Sequence, residues 1–194
     1  MEKLTTAAWV IMALSIHAVP ATSFYSTEEY APVAVKEKMT KIRVYIHDTL
    51  STKMGSRPTA VEIARPNNTG KEEGPTPFGS LFAVDDPLTD GPDLKKSKMV
   101  GDAKGMYLSS SLPEKKEFTL VLYLSLRFKE GEFNGSTVNV FSRNTVTEKS
   151  REMSIVGGTG KFRYGRGFVS VTTASFDPVT GDAVLQYDVN VVHH

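Results

Sequence analysis

The 194-residue sequence contains no cysteine, four histidines and one tryptophan. Without cysteine there are no disulfides and no thiolate ligands, so the domain must close an apolar core or assemble with copies of itself. Copper and iron sites depend on histidine and cysteine. Beyond the first 23 residues only His47, His193 and His194 remain, and we therefore expect no metal and no cofactor.

The charge is nearly balanced, at a formal net +1. Nucleic-acid-binding domains favour a basic face, so this balance argues against a nucleic-acid partner. A Ser–His–Asp triad is also poorly supplied, because His47 is the single histidine within the body of the predicted domain. Consecutive residues of a strand point to opposite faces, so His47 and its neighbour Asp48 are not expected to form a dyad.

Long apolar runs are missing as well. The longest, at residues 4–16, is too short to span a bilayer. It follows a charged N-terminus and precedes small residues, which is the layout of a secretory signal peptide. We predict a signal peptide at residues 1–23, an irregular leader at 24–40, one domain at 41–194, and no membrane partner.

Two acceptor patterns for N-glycosylation fit an exported protein. They are Asn67-Asn68-Thr69 and Asn134-Gly135-Ser136. Both lie beside turn-rich segments, so we predict glycans on surface loops at Asn67 and Asn134.

Alternating apolar residues are the strongest structural signal, and the clearest case is the period-two stripe at 118–128. Such alternation predicts strands, and no segment shows a helical period. Eight or nine strands are typical of an antiparallel barrel or a sandwich. The other predicted strands are residues 41–48, 60–64, 78–84, 99–109, 136–142, 152–156, 162–175 and 183–192. Turn-rich segments are predicted at residues 70–77, 85–93, 129–135 and 177–181.

Several strands also have a less apolar face. If the sheet closes, we expect this face to point inward and line a ligand cavity, with the apolar faces covered by packing such as other subunits. An ordinary sandwich with these residues outside is the alternative. The residues are Tyr107, Ser109, Asn139, Arg151, Gln186, Asp188 and Asn190.

Acid–base chemistry without a metal is compatible with this composition. A carboxyl or tyrosine held in an apolar barrel has a shifted pKa and can donate or accept a proton. The candidates are Asp48, Asp85, Asp86, Asp188, Tyr107 and Arg151.

The glycine-rich stretch at 155–167 superficially resembles a phosphate-binding loop. A P-loop needs a glycine five residues before Gly160 and a hydroxyl after Lys161, but the chain has Ile155 and Phe162 there. We therefore predict a hairpin in which Gly157, Gly158 and Gly160 make the turn.

Several further motifs, spread over residues 41–192, together resemble the plant dirigent family. None would be specific alone. They are Tyr45-Ile46-His47-Asp48, Phe78-Gly79-Ser80-Leu81-Phe82, the run from Val84 to Asp93, Gly105-Met106-Tyr107, Phe133–Thr137, Arg151-Glu152-Met153, Val156–Gly160, Phe162 and Arg166-Gly167.

The resemblance implies an eight-stranded antiparallel β-barrel, similar to allene oxide cyclases and assembled as a homo-oligomer, usually a trimer, with a dimer as the alternative. It also implies secretion to the apoplast or cell wall of a plant. Dirigent proteins steer the coupling of monolignol phenoxy radicals, such as those of coniferyl alcohol, into optically active lignans. A separate laccase or peroxidase supplies the radicals, so the implied protein has no oxidative centre of its own.

The same resemblance assigns site residues. It implies that Asp48 and Arg151 bind a phenol or assist proton transfer, and that Tyr107 and Asn144 line the substrate pocket. Lignan-forming members have aspartate where this chain has Asn144. In this respect the chain resembles the cysteine-free branch that includes pterocarpan synthases, which dehydrate isoflavanols through a quinone methide.

Three functions therefore stay open: a radical-orienting dirigent protein, a dehydratase of the pterocarpan synthase type, and a wall protein that organises lignin. Whether the protein is an enzyme depends on this choice. The chain also departs from the family pattern at Asp102, Lys104 and Tyr164-Gly165, where the changes either retune substrate choice or lie outside the pocket.

Overall fold

The computed structural model describes residues 36–52, 57–67, 76–112, 114–115 and 117–194. The predicted signal peptide and residues 24–35 of the leader lie outside the described residues. Within these ranges, no helix is both long and apolar enough to cross a membrane.

The described chain forms one antiparallel sheet of nine strands, in the order β1-β9-β8-β7-β6-β5-β4-β3-β2, with a further pairing of β1 to β3. That pairing closes an eight-stranded antiparallel barrel and confirms the predicted fold. The ninth strand, β2, pairs with β3 alone. The strands are β1 Lys38–Asp48, β2 Ala60–Ala64, β3 Leu81–Thr89, β4 Met99–Ser109, β5 Thr119–Phe128, β6 Thr137–Thr145, β7 Arg151–Thr159, β8 Arg166–Phe176 and β9 Ala183–His193, with short 3-10 turns at Gly131–Phe133 and Gly160–Phe162.

The apolar face of each strand points into the barrel, because burying it there removes the most apolar surface from water. On β5, for example, Leu122 and Leu126 are buried, while Tyr123 between them lies partly exposed on the outside. The expected inward polar face is therefore wrong for most of its members. Tyr107, Ser109 and Arg151 are buried, whereas Asn139, Gln186, Asp188 and Asn190 alternate with buried neighbours and lie on the outer face.

Strand β3 continues through residues that were predicted to form a turn, since Asp85–Thr89 belong to the strand. Pro87 cannot donate a hydrogen bond to a neighbouring strand, and proline inside a strand is restricted to unpaired edges. Here Pro87 lies where β3 changes neighbours: Val84 pairs with β2, and Leu88 pairs with β1. Barrel closure thus outweighs the local turn signal.

The predicted glycine hairpin is also placed differently. Gly157 and Gly158 lie within β7, and Val156 is an extra residue between the pairs Asn139–Gly157 and Val140–Ile155. Such a β-bulge favours glycine, and Gly157 has a φ of 153°. The turn itself is the 3-10 segment that begins at Gly160.

One end of the barrel is closed by aromatic rings. Phe162 is fully buried, and its ring centroid lies 4.8 Å from that of Phe133 and 5.8 Å from that of Phe128. The imidazole of His193 packs edge-on against Phe162 at 5.1 Å, and it shares a 2.8 Å hydrogen bond with the hydroxyl of Thr40. We call Phe128, Phe133, Phe162 and His193 the aromatic plug.

Candidate functional site

The opposite end of the barrel contains a cavity. Asp48 at the end of β1 pairs with Ala183 at the start of β9, whereas Lys38 and His193 pair at the plug end. The cavity has a volume of about 50 Å³, which is room for a few water molecules. Its walls are largely apolar, with Leu50, Phe118, Leu120, Phe176 and Leu185 among them.

All four site residues that the sequence suggested line this one cavity, and each comes from a different strand. They are Asp48 on β1, Tyr107 on β4, Asn144 on β6 and Arg151 on β7. Their convergence follows from the strand alternation, because each occupies an inward position where its strand reaches this end of the barrel. The geometry brings the residues together, and their chemical roles stay predictions.

Asp48 is a carboxyl held away from water. Burial raises the pKa of Asp48 to about 7, although a hydrogen bond from Tyr107 acts in the opposite direction. The negative charge of Asp182 raises the pKa further. The Oδ1 atom of Asp48 is shielded from solvent and has no hydrogen-bond partner within the described structure. Asp48 is therefore able to exchange a proton near neutral pH.

Tyr107 is a neutral donor beside this carboxyl. Its ring stacks on Phe82 with centroids 4.9 Å apart, which fixes the ring plane. Burial and the nearby charges of Asp48 and Asp86 raise the pKa of Tyr107 well above its usual range. The phenol thus stays protonated, and it donates a hydrogen bond to the Asp48 carboxylate.

Arg151 is a buried cation with spare donors. Its side chain is almost fully enclosed, and Nη2 donates a 2.8 Å hydrogen bond to Oγ1 of Thr173. The Nε and Nη1 groups have no partner in the described residues. Burial lowers the pKa of Arg151, but an arginine remains protonated in proteins. Two N–H groups are therefore free to bind an acceptor oxygen.

Asn144 adds an unpartnered acceptor. The residue is 3% exposed, and its Oδ1 makes no hydrogen bond within the described structure. Buried polar atoms are normally paired, so an unpaired set at one cavity indicates a binding site. The free groups of Arg151 match an acceptor oxygen, and those of Asn144 and Asp48 match hydroxyl donors. This combination suits a phenol or alcohol with an aromatic body.

Asp86 was weighed as an acid–base candidate, but no family motif assigned it a site role. It is 2% exposed. Burial and the charge of Asp48 raise the pKa of Asp86 to about 8. The relevant signal was the register between β1 and β3, which local alternation does not show. Thr173, the partner of Arg151, was not singled out either.

The other two aspartate candidates lie outside the cavity. Asp85 is exposed and pairs with Lys104 at 2.8 Å. Asp188 lies on the outer face of β9 and pairs with Arg43 at 2.6 Å. Both aspartates therefore form ion pairs at the barrel surface.

The departures from the family pattern also lie away from the cavity. Asp102 is on the outer face of β4, where Arg127 contacts it at 2.6 Å and Lys129 at 2.5 Å. Tyr164 is 80% exposed, and its neighbour Gly165 packs close to Phe162 in the turn beside the plug. Because Lys104 pairs with exposed Asp85, none of these changes reaches the cavity lining.

The remaining predicted sites are surface or isolated positions. Asn134 is exposed in the turn before β6, and Asn67 is exposed where the described chain pauses, with Asn68 and Thr69 outside it. His47 donates a 2.7 Å hydrogen bond to Thr89, which in turn donates to the carbonyl of Gly91. In the described ranges, no three histidine or acidic side chains are grouped so that they could hold a metal ion.

Comparison with known proteins supplies the family. The family model for Dirigent-like proteins matches residues 39–192. Dirigent protein 15 of Arabidopsis thaliana is 51% identical over 89% of this chain and 88% of its own length. Pterocarpan synthase 1 of Glycyrrhiza echinata is 41% identical over 93% and 92%. The solved structure of a pterocarpan synthase dirigent protein superposes with a TM-score of 0.73 at 41% identity, over 84% of this chain and 89% of that one.

Proposed function

Because the chain belongs to the dirigent family, we propose that it binds phenolic intermediates in the barrel cavity and imposes stereoselectivity on the coupling of monolignol phenoxy radicals. The observation that supports this function best is the convergence of unpaired polar atoms from Asp48, Asn144 and Arg151 in an otherwise apolar cavity. Apolar walls suit aromatic rings, and the polar atoms fix their orientation.

Orientation is the main contribution of such a site. Holding two reacting groups in one geometry accelerates one stereochemical course over the others. The Nε and Nη1 groups of Arg151 would bind the oxygen of a phenol or quinone methide. The walls at Leu120, Phe118 and Leu185 would confine the ring. Since the empty space is small, ligand entry requires these apolar side chains to move.

Asp48 would handle the proton when a coupled quinone methide closes its ring. In that step an alcohol oxygen attacks the methide carbon, a C–O bond forms, and the alcohol loses its proton. The former quinone oxygen gains a proton and becomes a phenol. A carboxyl whose pKa lies near 7 can take up the first proton and supply the second.

The wider setting is part of the same proposal. A laccase or peroxidase would generate the radicals, and this chain would act as a homo-oligomer, with a trimer favoured over a dimer. The N-terminal residues 1–23 would direct secretion to the apoplast or cell wall, with glycans at Asn67 and Asn134.

The first experiment supplies coniferyl alcohol and a laccase, with and without the protein, and measures the enantiomeric excess of the coupled product. We expect an excess with the natural chain and a racemic product with Asp48→Asn or Arg151→Met. Asp188→Asn is the matched control, because Asp188 is an aspartate on the outer face. A racemic product at saturating natural protein would remove this function.

A second candidate function is the dehydration of an isoflavanol in the manner of a pterocarpan synthase. Two observations favour it: the 41% identity to Pterocarpan synthase 1 over nearly the whole chain, and Asn144 in place of an aspartate at the cavity. The substrate would lose its hydroxyl as water, and a phenol oxygen would then attack the resulting quinone methide. Asp48 would supply a proton to the departing hydroxyl and take one from the phenol that becomes the quinone oxygen. On ring closure it would take the proton of the attacking phenol and return one to the quinone oxygen.

This candidate is tested by isoflavanol turnover with no oxidase present. Turnover that Asp48→Asn abolishes and Asp188→Asn preserves would support it. An enantiomeric excess in the first experiment with no turnover in this one would assign the chain to radical coupling.

A further inference from the structure

The barrel closes along the seam between β1 and β3. In the antiparallel register of this seam, Tyr45 lies opposite Thr89 and Ile46 lies opposite Leu88. Two residues further along β1 and two residues back along β3, the same register sets Asp48 opposite Asp86. Ile46 and Leu88 are both buried inside the barrel. Since side chains alternate along a strand, Asp48 and Asp86 share that inner face.

The seam therefore places two carboxyls together with little compensation. Asp86 is 2% exposed, and its Oδ1, like that of Asp48, has no hydrogen-bond partner in the described residues. The hydroxyl of Thr59 donates to the carbonyl of His47 at 3.2 Å, and its contact with Asp86 lowers the pKa of that carboxyl only in part. No lysine or arginine of the described chain forms a salt bridge with either residue. Two carboxyls in such surroundings cannot both ionise easily, so they retain a proton between them.

We propose that Asp86 is a positioning residue for proton transfer, which keeps one proton beside Asp48 so that the pair presents both an acceptor and a stored proton to a phenol or alcohol in the cavity. This inference rests on the proposed function for the identity of the ligand. The proton of the ligand hydroxyl would pass to Asp48, and the proton held between the carboxyls would return to the ligand oxygen that gains charge. The pair ends with the one proton with which it began.

The groups around the pair support this role. Tyr107 on β4 donates a hydrogen bond to Asp48. The charges of both carboxyls contribute to the raised pKa of buried Tyr187 on β9. Asp85 and Asp182 add negative charge at Asp86 and Asp48 respectively. Arg151 on β7 is the cation that lines the cavity, and its charge acts to lower the pKa of Tyr187. Tyr107 favours ionised Asp48 through its hydrogen bond, whereas the charges of Asp85 and Asp182 favour a proton in the pair and oppose its double ionisation.

Asp86 also borders a groove on the outside of the barrel. This groove has a volume of about 480 Å³ and is shared by Thr59, Asp85 and Lys104. The barrel wall at Asp86 therefore separates the carboxyl pair from this groove. Asp48 lines the inner cavity and does not border that groove.

The test is a carboxyl titration of the full chain, labelled with ¹³C at aspartate and followed by NMR or infrared spectroscopy from pH 4 to 9. In the natural protein we expect two aspartates that remain protonated far above the ordinary pKa of 3.8. Asp86→Asn should remove the later of the two steps. Asp188→Asn, at an aspartate of the outer face that is paired with Arg43, should leave both steps in place.

The decisive measurement follows the titration of Asp86 in a variant in which Asp86 itself is unchanged. Burial and the charge of Asp48 together raise the pKa of Asp86 to about 8. In Asp48→Asn that charge is gone, so Asp86 should titrate at a lower pH than in the natural protein. An unchanged midpoint, or an Asp86 that ionises near 3.8 in the natural protein, would overturn the inference. This arm also serves if Asp86→Asn fails to fold.

Activity separates this inference from the proposed function. The alkaline limb of the pH–selectivity profile should move in Asp86→Asn and stay in place in Asp188→Asn. A coupled titration in a protein that shows neither stereoselective coupling nor isoflavanol turnover would sustain the carboxyl pair and remove the proposed function. A selective protein whose profile ignores Asp86→Asn would overturn the role of Asp86 and leave the proposed function standing.

Discussion

The two ends of the barrel are formed by the same alternating strands, but they differ in how their buried side chains are packed and hydrogen-bonded. At the plug end, Phe128, Phe133 and Phe162 pack ring against ring, and the imidazole of His193 is hydrogen-bonded to Thr40. At the cavity end, Asp48, Asn144 and Arg151 are enclosed while several of their polar atoms have no partner among the described residues. The imidazole at the plug end thus has its hydrogen bond, whereas several buried polar atoms at the cavity end have none.

This difference indicates where stability and function are located. Buried polar atoms without partners destabilise a fold by about 1–3 kcal/mol each. Such groups persist at sites where a ligand or a reaction uses them. The comparison therefore predicts that substitutions at the plug end reduce stability, and that substitutions at the cavity end reduce activity at little cost in stability.

The largest effect is expected for Phe162→Ala in the plug. Removing a fully buried phenylalanine ring leaves a cavity and costs about 3–5 kcal/mol, so the free energy of unfolding measured in urea should fall by that amount. Phe162→Leu keeps most of the apolar volume and should cost clearly less.

Phe118→Ala is the matched substitution at the cavity end. Phe118 is only partly buried and borders existing empty space, so its loss should cost less than half as much as that of Phe162. Equal losses at the two positions would remove the distinction between the ends.

The pH dependence of stability is the next largest effect. Because the folded pKa of Asp48 is raised from 3.8 to about 7, the folded chain keeps a proton that the unfolded chain has released. The contribution of Asp48 to stability is therefore complete below about pH 4 and is lost as the pH rises towards 7. The slope is at most about 1.4 kcal/mol per pH unit.

Urea denaturation at pH 5, 6 and 7 measures this slope. The stability of Asp48→Asn relative to the natural chain should improve with each step in pH. For Asp188→Asn the trend should be absent or reversed, because Arg43 lowers the pKa of Asp188 by a hydrogen bond at the surface. A flat difference for Asp48→Asn would show that its carboxyl is ionised throughout.

A smaller gain in stability is expected for Arg151→Met. The substitution removes a buried cation that has two unpaired N–H groups and replaces it with an apolar chain of similar length. Replacing poorly compensated buried charges in this way is neutral or stabilising by about 1–2 kcal/mol. Thermal denaturation should show an equal or higher Tm, and a fall of several degrees would mean that Arg151 supports the fold.

The smallest effect is expected for Lys104→Gln, on the outside of the barrel. The pair with Asp85 is exposed, and such pairs contribute about 1 kcal/mol or less. Stability and product configuration should both stay close to those of the natural chain. A changed product configuration would show that the outer groove influences the cavity.

The sequence predicted the fold well where the pattern was local. The bounds of β2 and β4 were predicted to the residue, and those of β5 to within one residue. The full barrel came from the family resemblance, because closure depends on pairing between β1 and β3. That long-range pairing also explains why Asp85–Thr89 proved to be strand and not turn.

The candidate site was predicted in part for the same reason. Asp48, Tyr107, Asn144 and Arg151 came from family motifs, and the structure groups them at one cavity. The inward direction of the polar face was wrong for residues such as Asn139 and Asp188, since burial of apolar surface decides which face points inward. Asp48 lies opposite Asp86 because of the register between β1 and β3. No short stretch of sequence reveals that register.

The most direct test of this division of roles measures the product configuration that Arg151→Met gives, beside Phe162→Leu, at a temperature where both variants are folded. The coupled or cyclised product is resolved by chiral chromatography. We predict that Phe162→Leu, although less stable, retains the enantiomeric excess of the natural chain, and that Arg151→Met, although at least as stable, gives a racemic product. A selective Arg151→Met would contradict the account.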